Sequence, residues 1–530
     1  MALILSKEPR MLLNDAKTRL ALPWGDALAS KLRSLVDGSL TDVSGQKMLI
    51  LPYNQATFIA GQSIGLPIPA PIRHAYKWKG RYKPMAHQIT TAAFFTRYRK
   101  CFCLNGLGTG KSLSALWAAD YLIEQGAVNK VLILSPLSTL SPTWGSELFR
   151  HFPHHHYAVL HGKGKKLIED LSARFLIANH ELVRDRATIR RVIDREDINL
   201  VIVDECAMFR NGMTDKWKGL NALLQRKGRV WMMTGTPTPN APTDAWAQIR
   251  LLFPDRVPRK FLDFKAQVMI QDGPYRFSAK PGAQEVIKHL LSPSIRFAAS
   301  DCLDLPPLTY ETRRSDMLKE QKELYKQMRK DALVVLEGKE VTAANEAIVA
   351  QKLLQIACGV VLHEGGAITI QTTKTAVLDE IIGQTEGKII IFAPFTSVVK
   401  HIAERLKGRK SEETAPKVEV IIGETSLGER NRIINSFQDD PEGTRIIVAN
   451  PRTMSHGLTL TAAATMIWFA PIWSNDTYEQ AVKRIHRQGQ TRHCTVIELE
   501  SSPVEGVIYS RLRERQRVQG LLLDLLRHEK

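Results

Sequence analysis

Short apolar runs rich in β-branched residues recur along the chain, separated by stretches with apolar residues at three- and four-residue spacing. This alternation predicts strands joined by helices, the pattern of βαβ units around buried parallel sheets. The clearest strand-like runs lie at 131–134, 175–177, 200–203, 230–233, 388–392, 418–422, 445–448 and 466–469. Because they fall into two groups, the sequence predicts an α/β fold with two parallel-sheet lobes.

The two groups of strands also divide the rest of the chain. A length of 530 residues is enough for roughly three to four domains. The segment between the groups is charged, has helical spacing and shows no strand-like run, so it is predicted to be a helical insertion. The predicted parts are a small N-terminal region (1–75), a first lobe (76–255), a helical insertion (256–375), a second lobe (376–502) and a basic amphipathic C-terminal helix (503–530).

Charge and composition narrow the class of protein. Lysine and arginine number 73 against 54 acidic residues, which gives a net charge of +19. An excess of this size favours nucleic acid as a partner over ordinary surface charge. The chain shows neither a signal-peptide pattern nor an uninterrupted apolar run of about 18 residues. We therefore expect an intracellular, cytoplasmic protein with no membrane partner.

A run of histidines, His154, His155 and His156, follows His151 and raises the question of a metal site. No cysteine or carboxylate set stands beside it at ligand spacing, so the sequence favours a surface loop. The cysteines are scattered and predict neither a disulfide framework nor a zinc knuckle.

The strongest local signal is the segment NGLGTGKS at 105–112. It follows the strand-like CFCL and leads into a helical pattern. Backbone N–H groups of a glycine-rich turn and a helix N-terminus would therefore face an anion, and Lys111 would add positive charge. Ser112 would offer its hydroxyl to magnesium. Asn105 stands where the strict pattern has glycine, and an ordinary glycine-rich turn is the alternative.

A second signal is the acidic pair Asp204 and Glu205, which follows the apolar run at 200–203. Open α/β sheets bind their ligands at the carboxyl ends of strands. Asp204 would hold magnesium and Glu205 would polarise the attacking water, so metal, lysine and base would together serve phosphoryl transfer. The alternative is that the pair has a purely structural role. The position of the pair, one lobe-length after the glycine-rich loop, disfavours that alternative.

The segment QAVKRIHRQGQ at 480–490 is the third signal. Arg484 and Arg487 are three residues apart on a predicted helix, so their side chains would share one face and could both reach a γ-phosphate. A solvated basic face would show the same spacing, and both interpretations stay open.

The order of the motifs resembles that of the Swi/Snf-type branch of the superfamily-two helicases, which are DNA-dependent ATPases and translocases. The likeness runs through most of 84–490, and the tryptophan-rich stretch before QAxxRxxRxGQ is typical of this branch. Its pieces are MAHQ (85–88) like the Q motif, NGLGTGKS like motif I, SPLSTLSPTWGSEL (135–148) like motif Ia, DECA (204–207) like the DEAH box, MTGTPTPN (233–240) like motif III, IIIFAPFT (389–396) like motif IV, and the run at 450–490 like motifs V and VI.

This resemblance implies two RecA-like lobes that use ATP and Mg²⁺ to move along one strand of a DNA duplex. It implies that Gln88 reads adenine, that Lys111 and Ser112 hold phosphate and magnesium, and that Arg484 and Arg487 act as arginine fingers. The implied nucleotide-binding set is Gln88, Gly106, Gly108, Thr109, Gly110, Lys111, Ser112 and Gly457.

Three departures from the family pattern bear on coupling between ATP and nucleic acid. Ala207 replaces the DEAH histidine, Asn105-Gly106 replaces Asp-Glu, and Thr459 replaces the motif V asparagine. An active ATPase is still expected.

A strand-separating DNA or RNA helicase and an ATP-gated nucleic-acid-binding scaffold are the alternatives to a translocase that moves along double-stranded DNA. The short insertion predicts a compact bacterial or viral form, and residues 1–75 are a candidate protein-binding region.

The segment YKWKGRYK at 76–83 interleaves basic and aromatic residues. Such a segment could stack nucleic-acid bases or adenine, or could serve as a packed linker. The position of the segment in relatives favours a place for Tyr82 near the nucleotide.

Overall fold

The chain folds into two compact units in a computed structural model. The first unit comprises Met1–Pro237, Thr243–Gln267 and Pro281–Cys302, and the second comprises Thr238–Pro242, Val268–Lys280 and Leu303–Lys530. The structure describes residues 2–4, 11–25, 27–43, 45–162, 169, 172–238, 241–272, 277–337, 343–363, 366–369, 371–408, 416–454 and 459–514. Over these residues, no helix has both the length and the apolar character that crossing a membrane requires.

The N-terminal region forms a five-stranded antiparallel sheet with two helices. Its elements are β1 (Ala2–Ile4), β2 (Met11–Leu13), β3 (Arg19–Pro23), α1 (Ala27–Leu35), β4 (Ser39–Val43), β5 (Gln46–Pro52) and α2 (Gln55–Ser63), with the strand order β1-β2-β3-β5-β4. Leu49 and Phe58 belong to the same hydrophobic cluster as Phe95 and Trp117 of the following lobe. The sheet is therefore part of the core of the first unit.

The first lobe is built around parallel strands. Its elements are α3 (Ala86–Arg97), β6 (Lys100–Cys103), α4 (Lys111–Glu124), β7 (Lys130–Ser135), α5 (Ser146–His151), β8 (Tyr157–Leu160), β9 (Phe175–Asn179), α6 (Arg186–Asp194), β10 (Ile198–Asp204), α7 (Asp215–Leu224), β11 (Arg229–Met233) and α8 (Ala245–Leu252). The strands lie in the order β6-β11-β10-β7-β9-β8. β10 is a nearly continuous apolar run that is buried along most of its length, as is typical of a strand in a parallel sheet that is covered on both faces.

The segment predicted as a helical insertion contains both helices and strands. Its elements are α9 (Phe261–Val268), β12 (Met269–Gln271), β13 (Phe277–Ala279), α10 (Ala283–Leu290), β14 (Ser294–Ile295), α11 (Ala299–Cys302), β15 (Leu308–Arg314), α12 (Lys319–Glu337), α13 (Ala343–Ala357), β16 (Val360–His363), β17 (Gly366–Thr369) and α14 (Lys374–Gln384). The expectation that this segment has no strand is wrong. β14 pairs with β6, and β15 is a largely exposed, polar strand that an apolar-run criterion does not detect.

The second lobe repeats the parallel α/β arrangement. Its elements are β18 (Lys388–Phe392), α15 (Thr396–Lys407), β19 (Val418–Ile421), α16 (Leu427–Asp439), β20 (Ile446–Ala449), α17 (Pro451–Met454), β21 (Ala463–Trp468), α18 (Asn475–Ile485), β22 (Cys494–Glu500) and α19 (Pro503–Arg513). The sheet order is β15-β22-β21-β18-β20-β19, all parallel. The predicted fold class, with two parallel-sheet α/β lobes, is confirmed.

A buried ion pair joins the first turns of α14 and α19. The side chains of Lys374 and Glu505 are both fully buried and form a salt bridge. Lys374 Nζ also donates to the carbonyl oxygen of Phe469 at 3.1 Å. The backbone N–H groups and hydroxyls of Ser501 and Ser502 donate to the second carboxylate oxygen of Glu505 at 2.8–3.1 Å. Neither charge is therefore left without a partner, which is what makes its burial tolerable.

Replacing Lys374 with Met should lower the free energy of unfolding of the second unit by about 3–5 kcal/mol, because Glu505 would stay buried without its counter-charge. Urea and thermal unfolding would measure the loss. Lys400→Met is the matched control, since Lys400 pairs with Glu424 at 3.3 Å on the surface, and it should cost less than about 1 kcal/mol. Similar losses in the two variants would contradict the assignment.

Candidate active site

The glycine-rich loop lies between the end of β6 and the start of α4, at the carboxyl edge of the first sheet. Gly108 and Gly110 have φ values of +81° and +75°, a region that residues with a side chain rarely adopt. Gly110 is the N-cap of α4, and a Cβ there would lie 2.2 Å from Gln88 Nε2. The loop therefore needs glycine for both conformation and space, and it delivers a helix N-terminus whose free N–H groups favour an anion.

Lys111 is the first residue of α4, and its side chain lies back over the loop. Its Nζ donates to the carbonyl oxygens of Asn105 at 2.9 Å and of Gly106 at 3.0 Å. Thr109 Oγ1 also donates to Gly106 O, at 2.8 Å. Ser112 is half-buried in the same first turn of α4. The ammonium group is thus held at the glycine-rich loop by carbonyl groups that a more strongly charged acceptor would displace.

Gln88 connects the start of α3 to the glycine-rich loop. Its Oε1 accepts from Met85 N at 3.0 Å, and its Nε2 lies 3.4 Å from Thr109 O. His87 Nε2 contacts the same carbonyl oxygen at 2.9 Å. Tyr82, by contrast, has its ring 5.5 Å from the ring of His151. The structure brings Gln88, Thr109 and Gly110 together at one end of α3.

The departure at Asn105-Gly106 has a structural explanation in the segment that follows β14. Asn105 Oδ1 accepts from Phe297 N at 3.0 Å, and its Nδ2 donates to Thr91 Oγ1 at 2.8 Å. A Cβ on Gly106 would lie 3.0 Å from the backbone nitrogen of Ala299. An amide side chain and a glycine therefore suit this close packing of residues 297–299 against the loop.

Asp204 and Glu205 lie at the carboxyl end of β10, on the other side of β11 from the glycine-rich loop. Asp204 Oδ1 accepts from Glu205 N at 3.0 Å. Removal from water raises the pKa of Asp204, while the positive charge of Lys111 and the donors around its carboxylate act in the opposite direction. Glu205 has φ +51° and accepts from Thr234 Oγ1 at 3.0 Å. A non-glycine residue in this left-handed conformation is strained, and such strain is often found at functional positions.

Trp144 is a site residue to which the sequence interpretation gave no role. It is fully buried in a π-helix, Leu140–Gly145, and its Nε1 donates to Asp204 Oδ2 at 3.0 Å. Ser135 Oγ donates to the same oxygen at 3.4 Å. A π-helical turn often marks a functional position. The available sequence signal was the tryptophan inside the motif Ia-like segment.

Ala207, which replaces the family histidine, is buried in a short 3₁₀ helix, Cys206–Phe209. A different histidine contacts this part of the site. His180 Nε2 lies 2.8 Å from the backbone oxygen of Asp204, and its ring packs against that of Phe209 at 5.0 Å between centroids. The spacing of motifs along the chain could not have indicated His180.

Arg484 and Arg487 lie in the second unit, and their geometry differs from the expectation. Helix α18 ends at Ile485, so Arg484 is in its last turn and Arg487 lies beyond it. Gln490 Nε2 donates to the carbonyl oxygen of Ile485, the last residue of the helix, and to those of Thr461 and Ala463 at 2.8–3.2 Å. The prediction that both arginines share one helical face is therefore wrong. Arg484 is buried and Arg487 is half-buried.

Gly457, also assigned to the nucleotide site, lies outside the described residues. Thr459, which replaces the motif V asparagine, is exposed. Lys111, Ser112, Asp204 and Glu205 are brought to one sheet edge of the first unit. Their individual roles stay predictions.

This edge has what a nucleoside triphosphate with magnesium requires. The glycine-rich loop leads directly into the N-terminus of α4, and the ammonium group of Lys111 lies at the loop, bonded to the carbonyl oxygens of Asn105 and Gly106. Both groups favour an anion. Hard oxygen ligands suited to Mg²⁺ are available from the Ser112 hydroxyl and the Asp204 carboxylate. The residues present fit such a ligand.

Family models match most of the chain. The SNF2-related domain matches residues 87–359, and the helicase conserved C-terminal domain matches residues 373–489. Human "DNA annealing helicase and endonuclease ZRANB3" is 23% identical over 445 residues, which cover 81% of this chain and 39% of that protein. "Uncharacterized ATP-dependent helicase MG018" of Mycoplasma genitalium is 24% identical over 399 residues, covering 74% of this chain and 37% of that protein.

A phage protein and a solved structure are also similar. "Putative protein p41" of Acyrthosiphon pisum secondary endosymbiont phage 1 is 23% identical over 451 residues, covering 80% of this chain and 94% of that protein. The structure "Sulfolobus solfataricus SWI2/SNF2 ATPase core in complex with dsDNA" is 24% identical, covers 83% of this chain and 92% of that chain, and has a TM-score of 0.40.

The matched region spans 39% of the human relative's own length. The SNF2-related model alone accounts for more than half of this chain, and the helicase C-terminal model follows it in the family order. The chain therefore belongs to the SNF2-related family and carries both the SNF2-related domain and the helicase conserved C-terminal domain.

Proposed function

We propose that the chain is an ATP-dependent DNA translocase, which hydrolyses ATP to move along double-stranded DNA and to remodel protein–DNA complexes or branched DNA. The observation that carries the proposal is the convergence of the glycine-rich loop, Lys111, Asp204 and Glu205 at one sheet edge in a member of the SNF2-related family. The net charge of +19 supports a polyanionic partner. Relatives described as a "DNA annealing helicase" and an "ATP-dependent DNA helicase" support DNA as that partner.

In this proposal, each residue at the sheet edge has a distinct task. The N–H groups of Gly108, Thr109 and Gly110 and the ammonium group of Lys111 bind the phosphates of ATP. Ser112 and Asp204 hold Mg²⁺, which neutralises the phosphate charge that builds up during transfer. Glu205 orients and polarises the attacking water, and Thr234 holds Glu205 in place through its hydrogen bond.

Three further assignments complete the proposal and rest on the family resemblance. Gln88 reads adenine, since its amide is already held at the glycine-rich loop. Gly457 contributes to nucleotide binding. Arg484 and Arg487 stabilise the charge that develops in the transition state. Arg484 lies in the last turn of α18 and Arg487 lies beyond the helix, so the two arginines are tested by separate substitutions.

A strand-separating helicase is the second candidate, and the names of several relatives favour it. It would use the same ATPase residues. Unwinding of a forked duplex, scored beside displacement of a third strand from a triplex, separates the two activities. Translocation without unwinding supports the primary proposal.

Lys111→Ala should abolish an ATPase activity that double-stranded DNA stimulates, because the variant lacks the ammonium group that holds the phosphates. Steady-state rates with no nucleic acid, single-stranded DNA, double-stranded DNA and RNA would measure this. Lys218→Ala, which removes an exposed lysine of the same lobe, should behave as the wild type. Stimulation by single strands or RNA alone would favour the helicase, and an ATPase that is absent under all conditions would favour an ATP-gated scaffold.

Arg484→Ala and Arg487→Ala should each lower kcat by roughly a thousandfold while changing ATP affinity much less, because an arginine finger acts on charge present only in the transition state. Turnover assays and binding of a fluorescent ATP analogue would measure the two effects. Arg432→Ala is the control, since Arg432 pairs with Glu419 and Glu429 on the surface. A parallel fall in ATP affinity would argue against the assigned role.

Trp144→Phe should raise the Mg²⁺ concentration needed for half-maximal ATPase activity by about tenfold. The change removes a hydrogen bond to a charged acceptor, typically about 1.5–3 kcal/mol, and leaves the Asp204 carboxylate with the hydrogen bonds from Ser135 and the backbone of Glu205. Trp231→Phe is the matched control, because Trp231 is equally buried in this lobe but donates to Tyr98 O. If both variants show the same Mg²⁺ requirement, Trp144 has only a packing role.

A further inference from the structure

A cluster of polar side chains surrounds Asp120, in the middle of helix α4. The Asp120 side chain is fully buried. Its Oδ1 lies 3.0 Å from His154 Nε2, 2.7 Å from His155 Nε2 and 3.2 Å from Lys79 Nζ. Its Oδ2 accepts from the hydroxyl of Tyr76. These residues all belong to the first unit, and none has a role in the proposed ATPase chemistry.

Hydrogen bonding alone does not satisfy every contact in this cluster. His154 Nε2 also lies 3.1 Å from Lys79 Nζ, and an ammonium group can only donate. If His154 Nε2 carries a proton, it donates to Asp120, but its contact with the Lys79 ammonium group then brings two donors together. If His154 Nε2 carries no proton, it accepts from Lys79, but its contact with Asp120 Oδ1 then brings two acceptors together. Either tautomer leaves one close contact between groups of the same kind.

We propose that Asp120, His154 and His155 form a binding site for a divalent transition-metal cation of the Zn²⁺ type. Imidazole nitrogen and carboxylate oxygen are common zinc ligands, with bonds of about 2.0–2.2 Å. Tetrahedral bonds of that length place neighbouring ligand atoms about 3.3 Å apart. The Oδ1–Nε2 distances of 3.0 and 2.7 Å are a few tenths of an ångström shorter than that value, so small side-chain shifts would admit the cation. The three ligand atoms all lie within 4.8 Å of one another.

The surroundings of the three ligands suit this role. Tyr76 donates to the second oxygen of Asp120, the type of outer contact that orients a ligating carboxylate. Lys79 has another acidic partner, Glu124, at 2.5 Å, so its ammonium group can leave Asp120 when the cation binds. The His154 side chain is 42% exposed, which gives the cation a path from solvent and leaves room for water as a fourth ligand.

No carboxylate set stands beside the histidines at ligand spacing in the sequence, which is why the sequence favoured a surface loop over a metal site. The histidines do follow α5 in a loop, but the carboxylate comes from α4, far earlier in the chain. Because α4 begins at Lys111, the bound cation would fasten the loop between α5 and β8 to the helix that also carries the glycine-rich loop. The site is therefore a structural clamp on that helix, outside the hydrolytic chemistry.

The rival interpretation is a metal-free ion cluster in which Lys79 neutralises Asp120. The two interpretations predict opposite results for Lys79→Met. For a metal site, this change removes a competing cation, so Zn²⁺ should bind at least as tightly as to the wild type. For a metal-free cluster, Zn²⁺ binds no variant, and Lys79→Met only destabilises the fold by leaving Asp120 buried without a counter-charge.

The test uses the tag-free full chain after chelator treatment and dialysis, titrated with Zn²⁺ by calorimetry and with Co²⁺ by visible absorption. We expect one Zn²⁺ per chain, at least about tenfold weaker binding in His154→Gln and His155→Gln, and wild-type binding in His156→Gln. His156 is the matched control, being an exposed neighbour outside the cluster. Zn²⁺ should also raise the thermal unfolding midpoint of the wild type and His156→Gln, but not of His154→Gln.

No saturable binding to the wild type would overturn the proposal, as would equal binding to His154→Gln and His156→Gln. Circular dichroism spectra that match the wild type would show that lost binding reflects lost ligands. His154→Gln should fold like the wild type, because the His154 side chain is partly exposed. None of these measurements depends on ATPase activity, so the metal site stands or fails separately from the proposed motor function.

Discussion

Parallel pairing of β6, β11 and β10 is the constraint on which the candidate active site depends. In this register Met233 of β11 lies beside Cys103 of β6 and Asp204 of β10, so all three strands end at the same level. Thr234 continues the pattern, because its N–H donates to Cys103 O while its hydroxyl donates to Glu205. A shift of one residue in either pairing would move the glycine-rich loop or the acidic pair out of register. Lys111 and the two carboxylates would then no longer lie at the same level of the sheet edge.

The glycine-rich loop is also constrained from its outer side. β14 extends the sheet beyond β6, and Ile295 O at its end accepts from Leu104 N. In the chain after β14, Phe297 O accepts from Gly106 N and Phe297 N donates to Asn105 Oδ1. This contact explains why Asn105 and Gly106 are compatible with the site although they depart from the family pattern. It also places the loop against the last residues of the first unit, just before the chain enters the second at Leu303.

How far the sequence could predict this structure depends on the kind of interaction. Apolar runs such as 200–203 predicted the buried strands, because burial on both faces leaves a clear apolar signal. The polar strand β15 and the two-residue β14 gave no such signal, since backbone hydrogen bonds define them. For the site, motif order indicated Lys111 and Asp204, and the structure brings them to one edge.

Contacts between distant parts of the chain escaped the sequence analysis. Trp144 and His180 reach Asp204 from other segments, and no periodicity records such a contact. The end of α18 at Ile485 was also missed, and the donor that pairs with the carbonyl oxygen of Ile485 there comes from Gln490, outside the helix. Sequence spacing near His154 and His155 could not indicate Asp120 as their carboxylate partner, because Asp120 lies in helix α4 and the histidines lie between α5 and β8.

The shared core of the N-terminal sheet and the first lobe affects how the chain can be dissected. Gln55 Nε2 donates to Thr96 O at 2.7 Å inside this core, and Leu49 and Phe58 belong to the same apolar cluster as Trp117 of α4. A cut near residue 75 would expose that apolar surface to water and remove part of the support of the helix that carries Lys111. The N-terminal sheet thus supports the first lobe, and the inactivity of a chain truncated there would reflect lost folding.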